Sequence, residues 1–428
     1  MIPLNLDFTF RGSEYSTTEA SDVLARHRWY LIKEGFSPKL VNAAMDAVNI
    51  GKEDVVIDPF CGCGTVPVTA AERGVSAIGI EVNPFLSFVS KTKLSTCASR
   101  ELEDAAASVS AALQRTSNVR SPLEGYSTFS KSTKRSKWLF NAQVLRSFER
   151  GWRETHCINT NSQRFARLAL IKAAMANCNA KVDGKCLRYR KDWKDESFDS
   201  MSFAEEFKSN VAQIKEDLEK SKLTKGNSIV NGDSRVALKK IKQKFRLCIT
   251  SPPYLNSFDY SDVYRPELFL GGYVEDTKEL KRIRLKTLRS HVQVRWQEPT
   301  KTDFGSLYST TRKDLLAAQG NLWDKRLPAM VQAYFEDMQN VLGTLFQAAA
   351  DDAQVWIVVS TSAYGGVHIP VDMILGEIGE RQGWFLHDIG VIRNIRHSSH
   401  HWSRLPNSDR SAAKLRESVV VLGKQRKA

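Results

Sequence analysis

Long apolar runs are missing from this chain. No stretch of about 18 apolar residues occurs, so no transmembrane helix is expected. The opening residues, Met1-Ile2-Pro3-Leu4-Asn5-Leu6-Asp7, lack a basic segment followed by an apolar one. A secretory leader is therefore not expected, and the expected location is the cytosol. Cysteine is sparse: seven residues, irregularly spaced, with no Cys-x-x-Cys pair. That argues against a disulfide framework or a zinc site and for reduced thiols. Acidic residues are in deficit, 48 Asp and Glu against 62 Lys and Arg, for a formal charge of +14. A basic surface concentrates polyanions. A nucleic-acid partner is expected, because two of the basic segments also carry aromatic residues. At 428 residues and 42% hydrophobic content, the chain can hold a catalytic domain with insertions.

The alternation of elements sets the organisation. The polar first ~20 residues read as an arm. Ser37-Pro38 predicts a capped helix running to about Asn49. Val55-Val56-Ile57 reads as a buried strand, followed by a glycine turn and a helix to about Arg73. A second strand from Ser76 ends on Glu81, and residues 84–93 read as helix. This begins a doubly wound parallel sheet. Residues 95–226 break the pattern and read as a mostly helical insertion. The pattern resumes over 227–270, with strands at Ser228-Ile229-Val230 and Leu247-Cys248-Ile249. Residues 271–326 form a second, basic insertion. Over 327–428 a helix from about Pro328, a strand from Gln354 and a helix from about Pro370 lead to a closing hairpin, Ile389–Ile392 with Ser418–Leu422. Counting predicts seven strands.

Two short segments carry the chemistry. The first is Asp58-Pro59-Phe60-Cys61-Gly62-Cys63-Gly64-Thr65. Gly62 and Gly64 let the backbone turn sharply and a ligand approach it, and the amides of the following helix face that ligand. Thr65 is placed to cap the helix. Glu81, at the next strand end, can accept both hydroxyls of a ribose or be an ordinary surface carboxylate; its strand-end position favours the ribose. The second segment is Ser251-Pro252-Pro253-Tyr254. An exocyclic amine is a poor nucleophile because its lone pair is delocalised into the ring. The Ser251 hydroxyl and the Pro252 carbonyl are acceptors that could pyramidalise such a nitrogen. Pro252 and Pro253 fix the turn and remove competing donors, and Tyr254 can stack on a base that has left the duplex. The bland alternative is a Pro-Pro turn before a surface tyrosine.

Together these segments resemble the amino-methyltransferases that modify DNA bases with S-adenosylmethionine, and Ser-Pro-Pro-Tyr resembles the cytosine-N4 branch. The resemblance implies an α/β fold, a class I methyltransferase Rossmann-like seven-stranded sheet with helical insertions. It implies that the Phe60-x-Gly62-x-Gly64 core, with Asp58 and Thr65, lies against the methionine part of the cofactor. It puts Asp233 near the adenine amino group; a turn-forming Gly-Asp is the alternative there. Phe36-Ser37-Pro38 resembles the N-terminal motif that completes the cofactor pocket. The resemblance covers roughly 27–94 and 227–424 less the second insertion.

Phosphate contacts are expected from the second insertion, with Arg282, Arg284 and Arg289, and from the loop around Arg396, His400 and Trp402. The histidines of that loop read as nucleic-acid contacts, so no metal is expected. The leading reading is transfer of a methyl group from S-adenosylmethionine to the N4 amine of a flipped cytosine in DNA. Its rivals are adenine-N6 methylation, an RNA or protein amino-methyltransferase, and a catalytically silent DNA-binding module. A separate restriction endonuclease is a candidate partner. Target site and oligomeric state are not encoded legibly.

Overall fold

The computed structural model describes residues 4–115, 118–132, 136–183, 186–194, 198–223, 226–395 and 415–426. Seven strands form one sheet: β1 Val55–Asp58, β2 Ser76–Glu81, β3 Ser228–Asn231, β4 Phe245–Thr250, β5 Ala349–Ser360, β6 Phe385–Ile395 and β7 Leu415–Gly423. Their spatial order is β6-β7-β5-β4-β1-β2-β3. The strands from β3 to β5 run parallel, and β7 is antiparallel to both β5 and β6. This is the Rossmann-like, seven-stranded class I methyltransferase sheet expected from the sequence, with helical insertions. Chain order reverses between β1 and β4, so a crevice opens beyond their carboxyl ends.

The central strands are apolar without alternation because both faces are covered. All four residues of β1 are buried. Nine helices matter for the site: α1 Pro38–Ala47, α2 Thr65–Glu72, α3 Pro84–Lys93, α4 Ser99–Gln114, α5 Ala142–Glu154, α6 Thr160–Ala176, α7 Ser200–Lys220, α8 Leu327–Ala348 and α9 Val371–Arg381. Helices α1 and α2 cover one sheet face, where Leu40 and Val66 meet Val56, Leu247 and Val419. Helices α8 and α9 cover the other, where Leu342 and Ile374 join Ile57, Val355 and Val420. Helices α4 to α7 of the first insertion build a separate core against α3, with Phe148, Phe165 and Phe207 packed near Phe85.

One carboxylate ties that insertion to the sheet domain. Asp217 of α7 is buried and accepts from the Arg26 amide at 2.9 Å, the Trp29 indole at 2.8 Å and the Arg28 guanidinium at 2.6 Å. Residues Arg26 to Trp29, ahead of α1, are thereby tied to α7.

The opening residues are not a detached arm. The Asn5 amide donates to the Ile389 carbonyl at 2.9 Å, and Val391 donates back to Asn5 at 3.0 Å. Phe8 is buried, its ring 6.3 Å from that of Trp356. Two aromatics in this polar stretch, Phe8 and Phe10, pack on Trp356 and on each other. Among the described residues, no helix is long and apolar enough to cross a membrane.

Candidate active site

The glycine turn leaves β1 at Asp58. The Asp58 carboxylate accepts from the Thr250 hydroxyl at 2.6 Å and the Phe60 amide at 3.0 Å, which locks the ends of β1 and β4 together. Burial pushes its carboxyl up to about 7. Gly62 adopts φ +50°, and a Cβ there would come within 2.8 Å of Ile32 Cδ1. Gly64, at φ 89°, is the N-cap of α2. Thr65 is therefore the first helical residue and makes no side-chain cap, contrary to the sequence reading. A left-handed glycine already turns the chain into the helix there. A Cβ on Gly64 would press on Ser90 at 3.0 Å, so this glycine serves packing against α3.

Glu81 ends β2 with its two oxygens divided. One accepts from the Gly62 amide and the other from the Asn83 amide, each at 2.8 Å. Burial pushes its carboxyl up to about 7. Asp233 caps the short helix Ser234–Ala237 and is gripped by Arg235, with Nε 3.0 Å from one oxygen and Nη2 2.7 Å from the other. Arg235 reaches on to Asp337 at 3.0 Å. Nothing in the spacing of Asn231-Gly232-Asp233-Ser234 signalled this arginine.

Two cavities meet over the crevice. The first encloses about 870 Å³ including its open mouth. It is lined by Phe60, Gly62, Glu81 and Asp233, by Ser251, Pro252 and Pro253, and by apolar Ile32, Ile80 and Leu86. The second, about 720 Å³ with its mouth, is lined by Phe36, Tyr254, Asn256, Phe258, Arg393 and Glu417. Glu34 and Tyr260 line both. The Ser-Pro-Pro-Tyr turn thus straddles the two, with Tyr254 alone on the far side. Asp58, Ser37, Gly64 and Thr65 line neither. Ser37 is buried as the cap of α1, accepting from Lys39 at 3.1 Å.

Tyr254 is held by its hydroxyl, which donates to Glu417 at 2.6 Å. Arg393 donates to the other Glu417 oxygen at 2.7 Å. Burial and then the Glu417 charge raise the Tyr254 phenol well above its ordinary value. Glu417 and Arg393 lie on the closing hairpin and had no motif to announce them. Glu34 was also missed; it sits just ahead of Phe36-Ser37-Pro38.

The second insertion does something other than expected. Ile283, Lys286, Thr287 and Leu288 close one wall of the first cavity. Arg284 is engaged inward, 2.7 Å from Asp259 and 2.9 Å from the Ser261 hydroxyl. Arg289 is mostly buried between Glu336 at 2.6 Å and Asp337 at 2.7 Å. Against the effect of burial, the Lys301 amide, Arg289 and Thr300 bring the Glu336 carboxyl down to about 2. Arg284 and Arg289 are therefore bound to internal carboxylates, because neighbouring elements bring acids that the local sequence does not show. Arg282 remains exposed. Arg396, His400 and Trp402 lie outside the described residues. Among the described residues, no cluster of His, Cys, Asp and Glu has the arrangement of a metal site.

Comparison with known proteins points to a methyltransferase. Residues 26–264 match a family described as UPF0020, RMKL-like methyltransferase domain. The chain is 25% identical over 416 residues to the Type II methyltransferase M.BsoBI of Geobacillus stearothermophilus, covering 84% of this chain and 78% of that one. It is 25% identical over 402 residues to the Type II methyltransferase M.AvaI of Nostoc sp., covering 87% of this chain and 82% of that one. Superposition on the rRNA methyltransferase aviRa from Streptomyces viridochromogenes gives a TM-score of 0.30 at 10% identity over 96% of this chain and 90% of that one.

Proposed function

Because the chain belongs to the UPF0020 family, RMKL-like methyltransferase domain, its reaction is methyl transfer, and we propose that the acceptor is the exocyclic N4 amine of a cytosine flipped out of DNA. The methyl donor is S-adenosylmethionine, which when bound supplies an electrophilic methyl group on a sulfonium sulfur. The first cavity fits it. The missing Cβ at Gly62 lets Ile32 close over the turn, Ile32, Phe60, Ile80 and Leu86 supply apolar walls, and Glu81 and Asp233 supply acceptors for hydroxyls and an amine.

One observation carries the reading: the Ser251–Tyr254 turn lies at the junction of two cavities. Ser251 and the Pro252 carbonyl would accept hydrogen bonds from the amine hydrogens, free the nitrogen lone pair and aim it at the first cavity. Positioned acceptors of this kind stabilise the charge that develops on nitrogen. Tyr254, Phe36 and Phe258 would sandwich the base in the second cavity, and closure of both cavities would exclude water. The length-wide likeness to two Type II methyltransferases supports DNA over RNA as the substrate. The exposed cations of the second insertion, Lys278, Lys281 and Arg282, would meet phosphate.

Transfer of a labelled methyl group to plasmid DNA and to total RNA tests this. Label in DNA that disappears in Ser251→Ala is expected. Label in RNA alone would refute the substrate assignment.

A further inference from the structure

We propose that Glu34 is the carboxylate that receives the acceptor amine, accepting a hydrogen bond from it and then taking its proton. This rests on the reading of the second cavity as the base pocket. Glu34 and Tyr260 are the residues that line both cavities, so the Glu34 side chain stands where the transferring methyl and the accepting nitrogen must meet. Of the two, Glu34 alone carries an acceptor that can hold a proton. Its carboxylate is oriented by the Tyr264 hydroxyl, which donates to Oε2 at 2.9 Å. Tyr264 is itself buried, so the arrangement is a fixed one.

The chemistry requires such a group. The nitrogen lone pair forms the new N–C bond as the C–S bond breaks with its electron pair left on sulfur. The nitrogen then carries a positive charge and one hydrogen too many. Ser251 and the Pro252 carbonyl can accept hydrogen bonds, but neither can keep a proton near neutral pH. Transfer of that proton to Glu34 leaves a neutral secondary amine and a neutral carboxyl, which passes the proton to water. Burial raises the Glu34 carboxyl above its ordinary value, which suits it to the task. The groups facing it are Lys33 on its own loop, the phenols of Tyr30, Tyr260 and Tyr264, and, across the second cavity, the Arg393–Glu417 pair. Burial raises all three phenols, so they remain neutral.

The test is single-turnover methylation of plasmid DNA at saturating S-adenosylmethionine over a range of pH, in wild type and Glu34→Gln. The variant should be slower by about 10²-fold. Its affinities for S-adenosylhomocysteine and for DNA should stay within about twofold of wild type, since hydrogen-bonding shape is kept. The wild-type rate should rise with pH through a carboxyl titration that the variant lacks. Asp58 and Glu81 are present in both proteins, so the difference between profiles isolates Glu34. A Glu34→Gln rate within about threefold of wild type, or a slow variant with the wild-type profile, overturns the proposal. A variant that no longer folds shows as lost S-adenosylhomocysteine binding, and Tyr264→Phe then carries the test. Losing the hydroxyl removes a hydrogen bond to the charged form, so the wild-type titration should move to higher pH; an unmoved midpoint overturns the proposal. Wild type with no activity on DNA would instead refute the substrate reading, and this proposal with it.

Discussion

The Tyr254 hydroxyl donates to Glu417 at 2.6 Å, joining the Ser251–Tyr254 turn to the last strand of the sheet. This bond holds the ring, as the stacking role proposed for it requires. Glu417 is nearly inaccessible and also accepts from Arg393. Tyr254→Phe keeps the ring and leaves Glu417 paired with Arg393. It should lower stability by about 1 kcal/mol and transfer by less than about tenfold. Tyr254→Ala removes the stacking platform itself, so DNA capture should weaken by about 1–3 kcal/mol. Equal effects of the two, measured by DNA titration, would mean that the ring does not touch the base.

Ser251→Ala removes one acceptor and keeps both prolines. Cofactor affinity should survive, since Gly62 and Glu81 come from other elements, while the transfer step slows by about 10²-fold or more. Single-turnover rates beside calorimetry with S-adenosylhomocysteine check both halves. Unchanged turnover would remove this turn from the reacting atoms.

The ribose-binding role proposed for Glu81 predicts a pH dependence of cofactor binding with a definite sign. Burial holds its carboxyl at about 7, well above the ordinary value, so near neutrality part of the population is neutral. Ribose hydroxyls donate best to the ionised form. Binding of S-adenosylhomocysteine should therefore tighten as pH rises from 6 to 8, ionisation being complete only above about 7. Glu81→Gln should flatten that profile, and Glu81→Ala should cost about 1.5–3 kcal/mol of affinity. A flat wild-type profile in calorimetry would contradict the assignment.

The basic insertion should divide by position. Arg289→Ala leaves the buried Glu336 without its cation and Asp337 with Arg235 alone, so stability should drop by about 3–5 kcal/mol. Lys281→Glu with Arg282→Glu alters an exposed face and should spare the melting temperature. The double variant should weaken binding to every DNA sequence and reduce its dependence on salt. Denaturation curves and salt titrations of the two proteins separate these outcomes.

Most of the sheet was readable because its signals are local. Val55-Val56-Ile57 and Leu247-Cys248-Ile249 are apolar runs too short for helices, and Ser37-Pro38 is followed directly by residues at helical spacing. The glycine turn and the Ser-Pro-Pro-Tyr turn were legible for the same reason, each being a contiguous motif at a strand end. What stayed hidden depends on chain segments far apart. The role of Arg289 is decided by Glu336 and Asp337, nearly 50 residues away. Tyr254 finds Glu417 across 163 residues. Glu34 is held by the Tyr264 hydroxyl, 230 residues further along the chain. Thr65 failed as a cap because the positive φ of Gly64, a backbone choice, had already made the turn.

The base assignment is the central claim, and the nucleoside product tests it most directly. DNA treated with the wild-type protein and S-adenosylmethionine is digested to nucleosides, and the methylated species is identified by mass and retention. The account predicts N4-methyl-deoxycytidine, absent when Ser251→Ala replaces wild type. N6-methyl-deoxyadenosine as the sole product would contradict the cytosine assignment, and no methylated nucleoside at all would contradict DNA as the substrate.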